Sequence, residues 1–375
     1  MKTRFSEMVG VDFPLVAFSH CRDVVAAVSK AGGFGVLGAS TFTPEELKVE
    51  LDWIDAHIDG RPYGVDLAIP ENMAVKHEVG LTNHAIWGRI PEDYRRAMDE
   101  LLLRYDIDPS ISVRSDAERD VSLMGDAAER LMDVVFRHPI RLVVQALGLP
   151  PHALVDRARS HKVPLGALIG SADHAQRQLD VGVEVLVAQG TEAGGHCGEV
   201  STMVMVPEVV RAVDTSKVSV LAAGGIVTGR QMAAAMAMGA DGVWTGSVWL
   251  TTTESEVSPV VRDKLLAAKS RDTVRSRATS GKMCRQLRSA WTETWEAPGS
   301  LPVLPMPMQP ELGYYVLERA TKSAEAGNEK ARQVVNYLVG QGVGMIDTSK
   351  SARAVVQEFM EDFVQAGERM QELLA

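Results

Sequence analysis

Cysteine is scarce: the 375 residues hold three, Cys21, Cys197 and Cys284, with no C-x-x-C pair and no zinc-like spacing. A disulfide framework is thereby excluded, and a reducing, cytoplasmic setting is expected. Positive charge is also in deficit, with 39 Lys and Arg against 49 Asp and Glu for a net charge of -10. That balance argues against a nucleic-acid surface, which needs clustered cations to neutralise phosphates. No stretch approaches the ~20 apolar residues of a membrane span. The first residues, Met1 to Arg4, run into Glu7 and Asp12 without the apolar core of a signal peptide. Neither nucleic acid nor membrane is therefore expected as a partner. The nine histidines are scattered and none pairs with carboxylates at ligand spacing, so no metal site is expected. Fixed-period repeats are missing too.

What the chain does have is 46% hydrophobic residues, arranged as short Val/Ile/Leu/Ala runs that alternate with helical patterns. Such alternation is the signature of βαβ units around a parallel sheet. Eight runs qualify as strands, at 14–18, 34–38, 62–67, 140–146, 163–169, 183–188, 218–222 and 241–245. Eight repeats favour a closed (β/α)8 TIM barrel over an open doubly wound sheet. Thr43 before Pro44, Glu45 and Glu46 reads as a helix start with proline at the first position.

The rhythm breaks twice within what reads as one 375-residue domain. Residues 70–138 are too long for a βα connection and include an amphipathic stretch from about Asp116 to Val135, so a helical insertion beside the barrel mouth is expected. Residues 250–345 contain Pro298, Pro302, Pro305, Pro307 and Pro310, a cluster incompatible with regular helix, and read as a capping extension before the last helix. Neither segment carries a recognisable motif, which leaves the substrate pocket unread.

Chemistry concentrates at the C-terminal ends of strands. The seventh predicted strand ends in Ala222-Ala223-Gly224-Gly225-Ile226, Gly229 opens the next helix, and bare backbone N–H groups are expected there. The eighth ends in Thr245-Gly246-Ser247. Alone, each turn would be only a tight turn. Together, at the two positions where such barrels hold phosphate, they read as a phosphate site. The sixth strand leads into Gln189-Gly190-Thr191-Glu192-Ala193-Gly194-Gly195-His196-Cys197-Gly198, whose four glycines would let backbone approach a planar ring. His196 in that loop is either a general base or substrate donor, or merely a loop cap. Trp244 and Trp249 read as packing residues. Nothing in sequence supplies Cys197 with a base or cation, so no nucleophile is expected.

These motifs resemble those of the nitronate monooxygenase family, formerly called 2-nitropropane dioxygenases. The pattern Gln-Gly-x-Glu-Ala-Gly-Gly-His-x-Gly is met at 189–198, Ala-x-Gly-Gly-Ile at 222–226, and Gly-Ala-Asp-Gly-Val at 239–243. Weaker agreement occurs at 31–35, at Ser280-Gly281-Lys282 and at Gly340-Gln341-Gly342. The resemblance implies non-covalent FMN, its phosphate held around Ala223-Gly224-Gly225 and Gly246-Ser247. It further implies that Phe18, Ser19 and His20 line the flavin, that Asp66 sits near the ring where relatives usually place Asn, and that Gln189 and Gly194 approach the ribityl region. His196 would be the catalytic base or substrate-binding residue. Relatives usually carry Ala-Pro-Met where this chain has Phe18-Ser19-His20, and some carry Lys at Leu168, so the pocket departs from the pattern. His20 is then either a second polar group at the site or a satisfied structural histidine.

The resemblance implies oxidation of alkyl nitronates, such as propionate 3-nitronate, by O2. Two other classes remain open: an FMN-dependent NAD(P)H reductase of quinones or enoyl thioesters, and a flavin- or phosphate-binding barrel without turnover, or an isomerase-type barrel. Homo-oligomerisation is left open.

Overall fold

The computed structural model of the chain describes residues 1–69, 81–118 and 125–375, for 125 and 126 the backbone alone. Strands β1 (Leu15–Ser19), β2 (Phe34–Gly38), β3 (Tyr63–Leu67), β4 (Leu142–Gln145), β5 (Leu165–Ile169) and β6 (Val185–Gln189) are parallel neighbours in order. After the two-residue strand β7 (Gly195–His196), β8 (Ser219–Ala223) and β9 (Gly242–Thr245) complete the sheet, and β9 pairs with β1 to close the barrel. All eight expected strands are present. A run buried on both faces keeps apolar residues at every position, which is why the strands were readable without alternation.

Parity still sorts the two faces. Val16, Phe34, Val36, Leu142, Val144, Val185, Val187, Leu221 and Trp244 fill the lumen, and the N-terminal helix Arg4–Val9 plugs one end of it with Phe5 and Val9. The residues between them point outward into a larger layer shared with the barrel helices. Thr43 caps the helix Pro44–His57 through a reciprocal box with Glu46, as its sequence indicated. The last helix, Ala352–Leu374, closes the outer ring between Gly229–Ala237 and Arg22–Lys30. Gly229 permits that packing, since a Cβ there would stand 2.0 Å from the Phe359 carbonyl oxygen.

The two departures from barrel rhythm need revision. Helix Gly125–Val135 packs on Pro44–His57 and places Leu131, Met132 and Val135 in the barrel's own helical layer, so the added material after β3 ends before it. Of the amphipathic stretch expected from Asp116, residues 119–124 lie outside the described residues. Helices Asn83–Arg89 and Glu92–Arg104 instead share a second hydrophobic cluster with Pro259–Ala267, Ala290–Glu296 and Met308–Glu325. Tyr94 Oη donates to the Pro302 carbonyl at 2.7 Å, and Arg319 pairs with Asp116 at 2.6 Å. Pro310 lies inside the helix Met308–Glu325, contrary to the reading of the proline cluster. It occupies the first turn, where a backbone N–H has no intrahelical acceptor to lose. Among the described residues, no helix is long and apolar enough to cross a membrane.

Candidate active site

Three sequence-predicted residues converge where β1, β2 and β3 end. Gly38 is the Cα partner of Asp66, and a Cβ on Gly38 would strike the His20 ring at 2.6 Å and Phe18 at 2.8 Å. His20 Nδ1 lies 2.9 Å from the Gly38 carbonyl. A carbonyl can only accept, so Nδ1 carries the proton and Nε2 keeps a free lone pair. His20 is surrounded by protein mass, which lowers its pKa, yet its side chain is exposed. Both hold together only for a group lining a concavity. Ser19 Oγ accepts from the Cys21 amide at 3.1 Å and so shapes the turn that follows β1. Phe18 stacks on Trp244 at 6.0 Å, and Trp249 on Phe359 at 6.4 Å, so both tryptophans serve packing. Leu168, half-buried, joins the lumen cluster. Cys21, Asp23 and Glu256 each bring one potential ligand atom into a common 4.8 Å neighbourhood, but the thiol donates to the Glu254 carbonyl and burial raises its pKa.

On the opposite side, Gln189 and Ala223 are Cα partners, and Gly224 and Gly225 follow with φ of 110° and 71°. The expectation of bare amides at the next helix is corrected here. Gln231 Oε1 accepts from the Val227 and Thr228 amides, and Gly229 is covered by Phe359, so that helix start is capped and closed. The space lies instead at Gly246, where an added Cβ would meet nothing within 4 Å.

The loop after β6 crosses the mouth. Its Gly198 abuts Gly170 at the end of β5, and Glu192 lies beside Gly225. Glu192 Oε2 accepts from both the amide and the hydroxyl of Thr202, at 2.9 and 2.8 Å, and thus caps the helix Thr202–Ala212. Gly194 fits against Gly340, with a hypothetical Cβ only 2.7 Å from the Gly340 nitrogen, so its glycine is required by close backbone packing.

His196 is held by residues the sequence placed far away. Strand β7 pairs antiparallel with β11 (Cys284–Leu287), itself paired with β10 (Thr273–Ser276), and the connection between β10 and β11 delivers Ser280. The Ser280 hydroxyl lies 2.8 Å from His196 Nε2. Burial, reinforced by the Lys282 charge, brings the His196 pKa down to about 4, so the imidazole is neutral at pH 7. Ser280 and Lys282 were noted in sequence only as a weak motif, since nothing local indicates a partner 84 residues away. The lack of a cation near Cys197 is also corrected: Arg275 and Arg285 both act on it, although burial dominates and its thiol pKa is raised. Arg285 donates to the Thr191 carbonyl at 2.8 Å and pins the loop.

A strap from the C-terminal extension joins these parts. The Gly340 amide donates to Ser247 Oγ at 2.9 Å, and the Gln341 amide to the Glu192 carbonyl at 2.9 Å. Gly342 lies against the Gly225 carbonyl. The weak Gly-Gln-Gly motif thus ties the two glycine turns to the histidine loop.

The family model for nitronate monooxygenase matches residues 3–362. The chain belongs to the nitronate monooxygenase family. A Mycobacterium tuberculosis protein provisionally named monooxygenase Rv1533 is 50% identical over the full length of both chains. A Staphylococcus aureus protein, provisionally named nitronate monooxygenase, is 28% identical over 81% of this chain and 84% of its own. Among solved structures, nitroalkane oxidase from Streptomyces ansochromogenes superposes with a TM-score of 0.75 at 24% identity, covering 97% of this chain and 99% of the other. FabK from Thermotoga maritima gives 0.71 at 24%, covering 100% and 99%. These structural likenesses establish the shared barrel. As a member of the family the chain is a flavoprotein oxidoreductase.

The residues present fit a flavin. Open space at Gly246 beside the positive-φ turn Gly224-Gly225 suits a phosphate, and the lumen mouth offers a buried, unpartnered Asp66 Oδ2 toward a polar ring edge.

Proposed function

We propose that this nitronate monooxygenase family member uses FMN and O2 to oxidise alkyl nitronates of the propionate 3-nitronate type. The observation that carries the reading is His196, a neutral imidazole oriented by Ser280 on a glycine-rich loop beside the two glycine turns. The redox chemistry, electron transfer from the nitronate to oxygen, would be supplied by the flavin that these residues would hold. The protein's own part is placement and proton control. His196, uncharged and with Nε2 engaged by Ser280, can accept a proton or a hydrogen bond without first losing one. Lys282 adds positive charge next to His196, which favours an anionic substrate such as a nitronate. Gly224, Gly225, Gly246 and Ser247 would hold the phosphate, with Phe18, His20, Asp66, Gln189 and Gly194 around the rest of the cofactor. The acidic chain and its cysteine usage support action in the cytoplasm on a small molecule.

His196→Asn tests the assignment. FMN content should match the parent while nitronate turnover falls by roughly 10²- to 10⁴-fold, the range for a lost acid/base group. Parental turnover in that variant would remove His196 from the chemistry. The reductase alternative is separated by anaerobic NADH, which should leave the flavin oxidised if the nitronate reading holds.

A further inference from the structure

Among the described residues, the lumen-facing side of the barrel holds a carboxyl that has an unsatisfied oxygen. Asp66 is 3% exposed, shares the inward parity of Gly64 on β3, and has an Oδ2 with no hydrogen-bond partner among the described residues. A buried carboxylate without cation or donor is strongly disfavoured, and burial alone pushes the Asp66 pKa up to about 8. Its surroundings offer no counter-charge among the described residues. The flanking strands β2 and β4 carry no titratable side chain. Behind β3, helix Arg22–Lys30 carries Arg22, Asp23 and Lys30, and Arg22 is engaged by Asp23 and Glu50. His20, over Gly38, is uncharged because burial lowers its pKa. Tyr63, at the far end of β3, donates to Asp55 at 2.7 Å.

We propose that Asp66 works as the neutral carboxylic acid, donating through its O–H and accepting through its other oxygen, and in that form holds the polar edge of the flavin ring. The proposal rests on the flavin reading above. A protonated carboxyl presents one donor beside one acceptor, whereas a carboxylate presents acceptors only. The pyrimidine edge of a flavin alternates carbonyl acceptors with an N–H donor, so the acid matches it and the carboxylate sets oxygen against oxygen. Retention of the cofactor should therefore be lost as Asp66 ionises. His20, its Nδ1 committed to Gly38, stands alongside as a pH-insensitive acceptor above neutrality.

The test is equilibrium binding of FMN by the full chain between pH 7 and 9, for the parent and for Asp66→Asn. If only the acid form binds, the parent's apparent Kd rises toward tenfold per pH unit above about pH 8, because the competent fraction falls by that factor. Asp66→Asn, which keeps the donor and acceptor at every pH, should stay flat near the parent's pH 7 value. A flat parental profile, or an Asn variant that weakens in parallel with it, overturns the proposal. Protein that binds no FMN at any pH contradicts the cofactor reading instead, and infrared difference spectra then decide the carboxyl. A protonated-carboxyl band at pH 7 that Asp66→Asn lacks supports the neutral acid; no such band overturns it.

Discussion

Acidification should leave nitronate turnover intact far below the ordinary titration of a histidine. His196 has its charged form disfavoured first by burial and second by Lys282, which together bring its pKa to about 4. The group is depressed, so the neutral form survives as pH falls and is lost only through that lower value. At pH 5.5 a histidine of ordinary pKa, near 6.5, is about one-tenth neutral, whereas one at about 4 is almost wholly neutral. The structure thus predicts a roughly tenfold higher rate at pH 5.5 than an unperturbed base would give. Turnover of propionate 3-nitronate measured from pH 4 to 8, with flavin content checked at each point, gives the position of the acid limb. Lys282→Met removes the smaller of the two causes and should move the limb upward part of the way toward 6.5 without changing flavin content. A parental limb between pH 6 and 7 would refute the reasoning. So would a limb that persists unaltered in the residual activity of His196→Asn, since it would then belong to the substrate or another group.

Other consequences follow from particular atoms. Gly246→Val puts a side chain into open space at a negative φ of -130°, so FMN content should drop sharply while the melting temperature of the FMN-free protein changes little; full FMN content would contradict the phosphate placement. Gly225→Val is a blunter probe, because φ of 71° strains any branched residue there and both flavin content and stability should fall. Gly229→Ala drives a Cβ to within 2.0 Å of the Phe359 carbonyl and should loosen the last helix, costing on the order of 3 kcal/mol in urea unfolding through lost burial of Phe359 and Val356; parental stability would show that the helix is not seated there. Asp66 ionises near 3.8 when unfolded and about 8 when folded, so the folded state holds the extra proton and stability declines as pH rises through that window. Asp66→Asn should therefore be the more stable protein by up to about 4 kcal/mol at pH 7, with the gap closing near pH 4; equal urea midpoints at both pH values would count against a neutral Asp66.

Much of the barrel was legible because each strand is an unbroken apolar run and each helix start has its own local signal, Thr43 with Glu46 being the clearest. The glycine turns at 224–225 and 246 and the loop around His196 could be found for a related reason, as they fall at strand ends. Features made by pairing distant segments were invisible. Ser280 reaches His196 only through a small sheet of four-residue and two-residue strands, and Gly340 reaches Ser247 only after the extension has looped back. Arg275 and Arg285 arrive at Cys197 by the same route. The capping of Val227 and Thr228 by Gln231 shows a further limit, since glycine and a helix start suggest free amides that a single side chain can occupy. Asp66 is the most instructive residue in this respect: its position in a strand was readable, while its lack of a partner is a property of the whole lumen.

The central claim is most directly tested by the absorbance spectrum of the purified protein, followed by anaerobic addition of propionate 3-nitronate and, separately, of NADH. The structure predicts an FMN spectrum that the nitronate bleaches and NADH does not. Bleaching by NADH alone would contradict the nitronate reading, and a protein with no flavin, unable to take up added FMN, would contradict the cofactor assignment itself.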